Sequence, residues 1–141
     1  MDPILLRYEV PGGDLSRAGE ASSAVKRTLK QLDLPQEVIR RVSVCLYEGE
    51  INMVIHASGG EITVEIGMDR IVMRMADVGP GIPDIGLAMR DGWSTAGAQA
   101  KAMGFGAGMG LPNMKRCSDD LRIDTTVGVG TTVTMRVDIP A

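Results

Sequence analysis

Half of the glycines in this chain lie in one short stretch of its sequence. Nine of the eighteen fall between Gly79 and Gly110, and six of these nine are in the clusters Asp77-Val-Gly-Pro-Gly-Ile and Gly104-Phe-Gly-Ala-Gly-Met-Gly-Leu. Glycine costs backbone entropy and gives a core no side chain to pack, so this spacing indicates a backbone that approaches a ligand closely or adopts positive φ. Phosphate is the usual ligand, because N–H groups at glycine turns and at a following helix N-terminus form an anion site.

Length and composition restrict the class of protein. The 141 residues carry a net charge of −3 with scattered Lys and Arg, which predicts one domain, spanning 1–141, with no electrostatic footprint for nucleic acid. The apolar runs are too short to cross a bilayer and Met1 to Val10 resembles no signal peptide, so we expect a cytoplasmic protein without membrane contact. Cys45 and Cys117 are far apart in sequence, which favours reduced core thiols, and His56 alone offers little for a metal site or triad.

Hydrophobic periodicity and turn residues predict the element order β-α-α-β-β-lid-α-β-β. The predicted elements are a strand at 4–10, a helix ending near 33, a helix at about 35–57, strands at 61–68 and 71–77, a short helix at 84–90, a helix at 111–120, and strands at 121–126 and 131–139. We expect Asp14 or Ser16 to cap the first helix, and Met68 to point inward with the apolar residues of its strand. Hairpins with grouped helices predict an α+β fold, a two-layer sandwich whose mostly antiparallel sheet is covered on one face by helices. The long segment between Ile82 and Gly110 is typical of a functional lid.

Two polar residues share a face of the second predicted helix. Glu48 and Asn52 are four apart, which places them one turn from each other. One interpretation is a solvated polar stripe that includes Glu50, and the other is a functional pair. A glycine inside a helix, such as Gly49, lowers helix stability by about 1 kcal/mol relative to alanine. Its presence indicates that a side chain there would block close packing or the approach of a ligand. From this helix alone, both interpretations stay open.

Asp77 ends a predicted buried strand and is followed by Gly79 and Gly81. A turn aspartate often bonds its own backbone. A carboxylate accepts hydrogen bonds and donates none, so Asp77 is also a suitable acceptor for an exocyclic amine such as that of adenine.

The second glycine cluster, with Gly106, Gly108 and Gly110, precedes a predicted helix. A dinucleotide-binding turn should follow the first strand of a βαβ unit, whereas this cluster follows a long loop late in the chain. A P-loop requires a Gly-Lys-Ser/Thr ending, and Gly110 is followed by leucine and proline. Neither phosphate motif fits.

Four motifs occur in order along the chain: Glu48-x-x-x-Asn52, Asp77-x-Gly-x-Gly81, then after a lid Gly106-x-Gly-x-Gly110-Leu, and Gly130-Thr-Thr-Val133. In this order they resemble the GHKL ATP-binding family, the Bergerat fold shared by histidine kinases, type II topoisomerases, Hsp90 chaperones and small anti-sigma-factor kinases. The resemblance extends from about Leu5 to Ile139.

The resemblance implies a role for each matched residue. Glu48 matches the general base toward a target serine, and Asn52 matches the amide that holds Mg²⁺. Asp77 matches the adenine-binding aspartate, in the loop that contains Gly79 and Gly81, and Thr131 matches a threonine that supports the adenine contact. The phosphates of ATP are wrapped by the glycines that match Gly106, Gly108 and Gly110.

Within the family, small bacterial anti-sigma factors and stress-switch serine kinases are the most similar, because 141 residues leave no room for a phospho-accepting hairpin or further domains. This implies an ATP- and Mg²⁺-dependent serine/threonine kinase that phosphorylates a STAS-type anti-anti-sigma partner, binds a sigma factor, or both, with a homodimer left open. We expect partner contacts on the first helix, while the segment near Trp93 has two interpretations: packing within the lid, which is favoured, or a second partner contact.

Two alternatives stay open: a nucleotide-binding module that sequesters a sigma factor or activates another protein without transfer, and an ATP hydrolase acting as a conformational clock. One departure affects transfer. Some relatives have an arginine beside the glycine run, and the matching position here is Gly106, which leaves Lys101, Lys115 or Arg116 to supply positive charge.

Overall fold

The computed structural model describes residues 2–82, 85–89 and 110–140. These residues form five strands and four α-helices, with one short 3-10 helix at Leu15–Arg17. In chain order the elements are β1 (Ile4–Pro11), α1 (Glu20–Gln31), α2 (Gln36–His56), β2 (Gly59–Ile66), β3 (Arg70–Asp77), α3 (Ile85–Ala88), α4 (Gly110–Cys117), β4 (Asp120–Thr126) and β5 (Gly130–Asp138). The α+β fold is confirmed, whereas most of the predicted lid lies outside the described residues.

The five strands form one sheet in the order β1-β2-β3-β5-β4, and every neighbouring pair is antiparallel. In this register Asp77 lies opposite Gly60, while Ala76 lies opposite Thr132. The end of β3 therefore lies beside the beginning of β5. This topology brings Asp77 next to Thr131, although the two are far apart in sequence.

The helices cover one face of the sheet, and the core lies between the two layers. Alternate strand residues point into it, and the fully buried ones include Ile62, Val64, Ile71, Met73, Met135 and Val137. α2 contacts four of the strands as well as α1 and α4. None of the described helices, 21-residue α2 included, is long and apolar enough to span a membrane.

Gly49 allows α2 to pack closely on the sheet. A Cβ atom at this position would collide with the side chain of Met75 on β3 and would lie 3.6 Å from the sulfur of Met114 on α4. The helix-interior glycine therefore has a packing reason, since any side chain would push α2 away from its neighbours.

Glu50 is a buried carboxylate that caps α1. Its side chain is only 2% exposed, and its two oxygens accept hydrogen bonds from the backbone N–H groups of Ala21 at 3.1 Å and Ser22 at 2.9 Å. The assignment of Glu50 to a solvated stripe is therefore wrong. The first N–H groups of a helix lack partners within the helix and carry partial positive charge, so a carboxylate satisfies both requirements there.

The prediction that Asp14 or Ser16 caps α1 is also wrong. The Asp14 carboxylate instead accepts hydrogen bonds from the backbone and hydroxyl of Ser16 in the turn before the helix. The residue at the N-cap is Gly19, with φ of 96° and no side-chain cap of its own. The cap comes from α2 because the local sequence provides none at the position where α1 begins.

Met68 lies outside the core, contrary to prediction. β2 ends at Ile66, and the backbone N–H of Gly67 donates to the carbonyl of Arg70 at 2.9 Å, which closes the turn. Met68 is at the tip of this turn with 72% of its surface exposed. The alternating pattern extends one apolar residue beyond the strand itself.

Both thiols are free, as predicted. Cys45 is buried on α2, and this burial raises the pKa of its thiol to about 12. Cys117 is partly buried at the end of α4, where its carbonyl accepts a 3.0 Å hydrogen bond from the Arg41 side chain. Arg41 also forms a 3.1 Å ion pair with Asp119, so it fixes the end of α4 against α2.

Candidate functional site

The N-terminus of α4 lies directly against the face of α2 that carries Glu48 and Asn52. A Cβ atom at Gly110 would be 3.0 Å from the side-chain nitrogen of Asn52 and 3.2 Å from its oxygen. One turn further along α4, the amide of Asn113 contacts the Glu48 carboxylate. Glycine at position 110 thus allows the helix N-terminus and the Asn52 amide to lie together.

Glu48 is a half-buried carboxylate with one polar contact among the residues that the structure describes. Burial raises its pKa, and the 3.5 Å hydrogen bond from the Asn113 side-chain nitrogen acts weakly in the opposite direction. The oxygen of Asn113 in turn accepts a 3.0 Å hydrogen bond from Arg116. A carboxylate whose pKa is raised is a stronger proton acceptor when ionised, as a general base requires.

Asn113 was missed by the sequence analysis. The signal available was its position on α4, three residues after Gly110, which places it on the same side of that helix. Only knowledge of how α4 packs on α2 identifies Glu48 as its neighbour.

Asn52 offers one amide oxygen to a cation. Within the described ranges its side chain is half-buried and makes no hydrogen bond, and no group of three or more His, Cys, Asp or Glu residues there could hold a metal ion. Mg²⁺ commonly binds through one or two protein oxygens together with substrate phosphates and waters. The single amide fits that kind of site and does not fit a metal cage made of protein ligands alone.

Asp77 is half-buried at the end of β3. One of its carboxylate oxygens accepts a 2.9 Å hydrogen bond from the backbone N–H of Thr131. Burial raises the pKa of Asp77, and the Thr131 hydrogen bond opposes that effect. Its second oxygen has no hydrogen-bond donor among the residues described, so the carboxylate is fixed in orientation and retains an acceptor for a ligand.

Thr125 connects the loop after Asp77 with β5. Its hydroxyl oxygen accepts a 2.9 Å hydrogen bond from the backbone N–H of Ile82 and lies 2.9 Å from the hydroxyl of Thr131. The two threonines are directly opposite each other in the β4–β5 register. The sequence analysis identified Thr131 and missed Thr125, although pairing the strands across the Val127–Gly130 turn would have revealed it.

The loop from Val78 to Ile82 is held by the backbone on both flanks. Four hydrogen bonds do this: Val78 N–H to Gly59 O (3.0 Å), Ser58 N–H to Val78 O (2.7 Å), Gly79 N–H to Val129 O (3.1 Å), and Gly128 N–H to Pro80 O (2.8 Å). Gly81 has φ of +77°, a conformation that glycine adopts without strain. The positive φ therefore explains why glycine occupies position 81, the second glycine of the Asp77-x-Gly-x-Gly81 motif.

α2 connects the two groups of predicted residues. Its Asn52 faces Gly110 and its Glu48 faces Asn113 on α4. Ala57, which follows the last residue of α2, lies against the loop, since a Cβ at Gly79 would be 3.0 Å from the Cα of Ala57. The structure therefore arranges Glu48, Asn52 and Gly110 at one end of the site and Asp77, Gly79, Gly81 and Thr131 at the other.

Other predicted residues are placed differently or not described. Gly106, Gly108, Lys101 and Trp93 lie outside the described residues. Of the remaining candidate cations, Lys115 is exposed on α4, and Arg116 contacts Asn113. Arg116 is thus separated from Glu48 by a single amide.

Comparison with known proteins agrees with this arrangement. Residues 38–141 match the family model described as Histidine kinase-, DNA gyrase B-, and HSP90-like ATPase. The chain belongs to this family. The GHKL resemblance drawn from the four motifs is therefore confirmed.

Two curated relatives are similar over most of the chain. It is 35% identical over 97 residues to "Serine/threonine-protein kinase RsbT" of Bacillus subtilis (strain 168), covering 66% of this chain and 67% of the relative. It is 32% identical over 120 residues to "Anti-sigma F factor" of Thermoanaerobacter sp. (strain X514), covering 82% and 80%. These similarities agree with the predicted subfamily of small anti-sigma kinases.

A solved structure shares the fold. "Mycobacterial sensor histidine kinase MprB" matches with a TM-score of 0.55 and 15% identity, covering 96% of this chain and 98% of the other. At this identity the match shows the two-layer fold alone.

Proposed function

We propose that this chain is an ATP- and Mg²⁺-dependent serine/threonine protein kinase that acts as an anti-sigma regulatory factor in the cytoplasm, with residues 1–141 as one catalytic domain. Membership of the ATPase family supports ATP as the substrate. The names of the relatives support protein kinase and anti-sigma activity. The observation that carries the proposal is Glu48, a carboxylate with a raised pKa one turn from Asn52 and opposite the N-terminus of α4.

In this proposal the two ends of the site hold the two ends of ATP. The free oxygen of Asp77 accepts the exocyclic amine of adenine, while the Thr131 N–H holds the carboxylate in place. At the other end, the N–H groups of Gly106, Gly108 and Gly110 hold the phosphates, and the Asn52 oxygen binds the Mg²⁺ that neutralises their charge. α2 sets the separation between the two ends.

Glu48 then acts on the incoming serine of a STAS-type partner. Its carboxylate accepts the hydroxyl proton as the serine oxygen bonds to the γ-phosphorus and the bond to the β,γ-bridging oxygen breaks, which releases ADP. Phosphoryl transfer depends mainly on positioning and charge neutralisation, so a correctly placed acceptor is the main chemical contribution of the protein. Asn113 holds the Glu48 carboxylate on the side facing α4.

The direct test is transfer of radiolabelled γ-phosphate to the STAS protein encoded nearest to the gene for this chain. The proposal predicts Mg²⁺-dependent labelling of one serine on that partner. Binding of ATP without labelling would contradict kinase activity and favour the nucleotide-binding module. In that case, titration of the sigma factor against the chain would establish the regulatory role.

Replacing Asp77 with asparagine is expected to weaken ATP binding by about tenfold to a hundredfold, because a hydrogen bond to a charged group contributes about 1.5–3 kcal/mol. Isothermal titration with ATP and Mg²⁺ measures this effect. Asp124→Asn, an exposed carboxylate on β4, is the matched control and should bind normally. Equal affinities in both variants would exclude Asp77 from the nucleotide site.

Replacing Thr125 with valine is expected to weaken ATP binding by about threefold to tenfold. The Ile82 N–H would lose its hydrogen-bond acceptor, and the loop would lose its connection to Thr131. Thr125→Ser keeps the hydroxyl and should restore affinity. Titration should be paired with thermal unfolding. If Thr125→Val loses stability but binds ATP normally, the hydroxyl has no role in positioning the loop.

A further inference from the structure

α2 and α4 contact each other at three levels, which follow the two helices in opposite directions. The beginning of α4 at Gly110 lies beside Asn52. One turn later on α4, Asn113 lies beside Glu48, which is one turn earlier on α2. At the third level, the Arg41 side chain donates a 3.0 Å hydrogen bond to the carbonyl of the last residue of α4. α4 is therefore held near both of its ends, and Asn113 is fixed at the level of Glu48.

The orientation of the Asn113 amide is determined by its two neighbours. Its oxygen accepts a 3.0 Å hydrogen bond from Arg116, and its nitrogen lies 3.5 Å from Oε1 of Glu48. A guanidinium only donates and an ionised carboxylate only accepts, so the reversed amide would place donor against donor and acceptor against acceptor. Arg116 thus directs the nitrogen of Asn113 to Glu48, and this arrangement matches the ionised form of the glutamate.

The contact with Asn113 uses one of the two oxygens of Glu48. In the part of the chain that the structure describes, Oε2 has no hydrogen-bond donor. Burial raises the pKa of Glu48, and the Asn113 hydrogen bond opposes that effect. A glutamate side chain has several rotamers, and a hydrogen bond to one oxygen restricts them. The contact therefore determines which oxygen is available to a substrate.

Charged groups on the elements packed against α2 are directed elsewhere. On α2 itself, Glu50 caps α1, and Arg41 is paired with a carboxylate after the end of α4. His56 lies about two turns further along α2, Asp77 is at the other end of the site, and Lys115 is exposed. The charged residues of α1 are also exposed: Glu20, Lys26, Arg27 and Lys30. The buried side chains of the strands carry no charge. Among the described residues, burial and the amide are thus the two influences on the base.

We propose that Asn113 is a positioning residue for phosphoryl transfer: held by Arg116, its amide fixes Oε1 of Glu48 and leaves Oε2 to face the serine hydroxyl. This role rests on the kinase function proposed above. The serine proton passes to Oε2 while the serine oxygen bonds to the γ-phosphorus and the bond to the bridging oxygen of the departing ADP breaks. Because α4 begins at Gly110 beside Asn52, one helix sets the position of both the metal-binding amide and the base. The base is therefore correctly oriented only while α4 is packed on α2.

Replacing Asn113 with leucine tests this role, because leucine has a similar volume and no amide. Transfer of radiolabelled phosphate to the STAS partner should show a kcat that is lower by about tenfold. The KM for ATP and the ATP dissociation constant should stay within about twofold of wild type. Asn113→Asp keeps the shape and the acceptor for Arg116 but places a second carboxylate beside Glu48, so its kcat should fall further. Thermal unfolding and ATP titration verify that both variants fold.

The pH profile of kcat separates positioning from packing. The Asn113 hydrogen bond opposes the effect of burial on the pKa of Glu48, so its loss should move the acid limb of the profile to higher pH. The added charge in Asn113→Asp should move the limb further in the same direction. A purely structural contact would lower kcat without moving the limb. In a Glu48→Gln background there is no base to orient, so Asn113→Leu should change the residual rate by less than about twofold.

Replacing Arg116 with methionine tests the part of the arrangement assigned to Arg116. The amide of Asn113 would lose the donor that orients it, so kcat should fall by about threefold while ATP affinity stays unchanged. Arg122→Met removes an exposed arginine on β4. This matched control should leave both quantities at their wild-type values.

The results that would overturn the positioning role differ from those that would overturn the kinase function. With an active wild type, an unchanged kcat in Asn113→Leu, an acid limb that does not move, or an equal loss in the Glu48→Gln background would each overturn the positioning role. A loss of ATP affinity in Arg116→Met as large as its loss of kcat would also overturn it, since Arg116 would then contact phosphate. Absence of transfer by the wild type contradicts the kinase function itself, and the positioning role fails with it.

Discussion

Replacing Glu48 with glutamine should lower phosphoryl transfer to the STAS partner by about 10²- to 10⁴-fold, the usual contribution of a general base. Glutamine keeps the size of the side chain and a hydrogen-bond acceptor for Asn113, but it accepts no proton from serine. ATP affinity should stay close to wild type. Radiolabelled transfer and isothermal titration measure the two quantities. Glu37→Gln, an exposed change in the first turn of the same helix, controls for altered helix charge.

The pH dependence of transfer provides a second measurement of Glu48. Burial raises its pKa above the ordinary value of 4.5, so the ionised base is lost at a higher pH than for an exposed glutamate. Wild-type transfer should therefore fall as the pH decreases through this raised value, and the residual activity of Glu48→Gln should lack that limb. Near-wild-type transfer by Glu48→Gln would remove Glu48 as the base. Absence of transfer by the wild type would instead contradict the kinase proposal.

Replacing Glu50 with alanine should lower the free energy of unfolding by about 2–4 kcal/mol, because two backbone N–H groups of α1 lose their acceptors in a buried setting. Glu50→Gln keeps one acceptor oxygen and should lose less. Urea unfolding followed by circular dichroism measures both. Glu20→Ala is the matched control, an exposed glutamate in the first turn of α1, and its effect should stay within about 0.5 kcal/mol. A loss in Glu50→Ala no larger than in the control would show that the carboxylate does not stabilise α1.

The elements, and the grouping of the main predicted site residues, followed from local patterns. Alternation defined the strands, and the hairpin turns predicted their antiparallel pairing. The helical spacing of Glu48 and Asn52 placed them on one face, and the structure places that face against α4, with Asn52 beside Gly110 and Glu48 beside Asn113. Patterns of this kind are decided within a few residues of chain, so sequence alone is sufficient for them.

Apart from Met68, where the alternating pattern continued beyond the end of β2, the errors concern contacts between distant segments. Glu50 was grouped with Glu48 and Asn52 because it lies between them, yet a residue two positions along a helix is rotated by about 200° and points to the other side. Helical geometry therefore excluded the shared stripe, but it did not identify α1 as the neighbour. Thr125 and Asn113 were missed for the same reason, since their partners are fixed by the pairing of β4 with β5 and by the packing of α4 on α2.

The backbone hydrogen bonds that fix the loop after Asp77 have a consequence for the choice of nucleotide. A loop held in place by its neighbours on both flanks loses little conformational freedom when a base arrives. It also has little capacity to rearrange around a different base. Asp77 presents an oxygen that accepts and does not donate, so in the proposed site it favours the amine of adenine and repels the carbonyl that guanine carries at the same position. Discrimination between the two purines would then be set by the sheet itself, before any nucleotide binds.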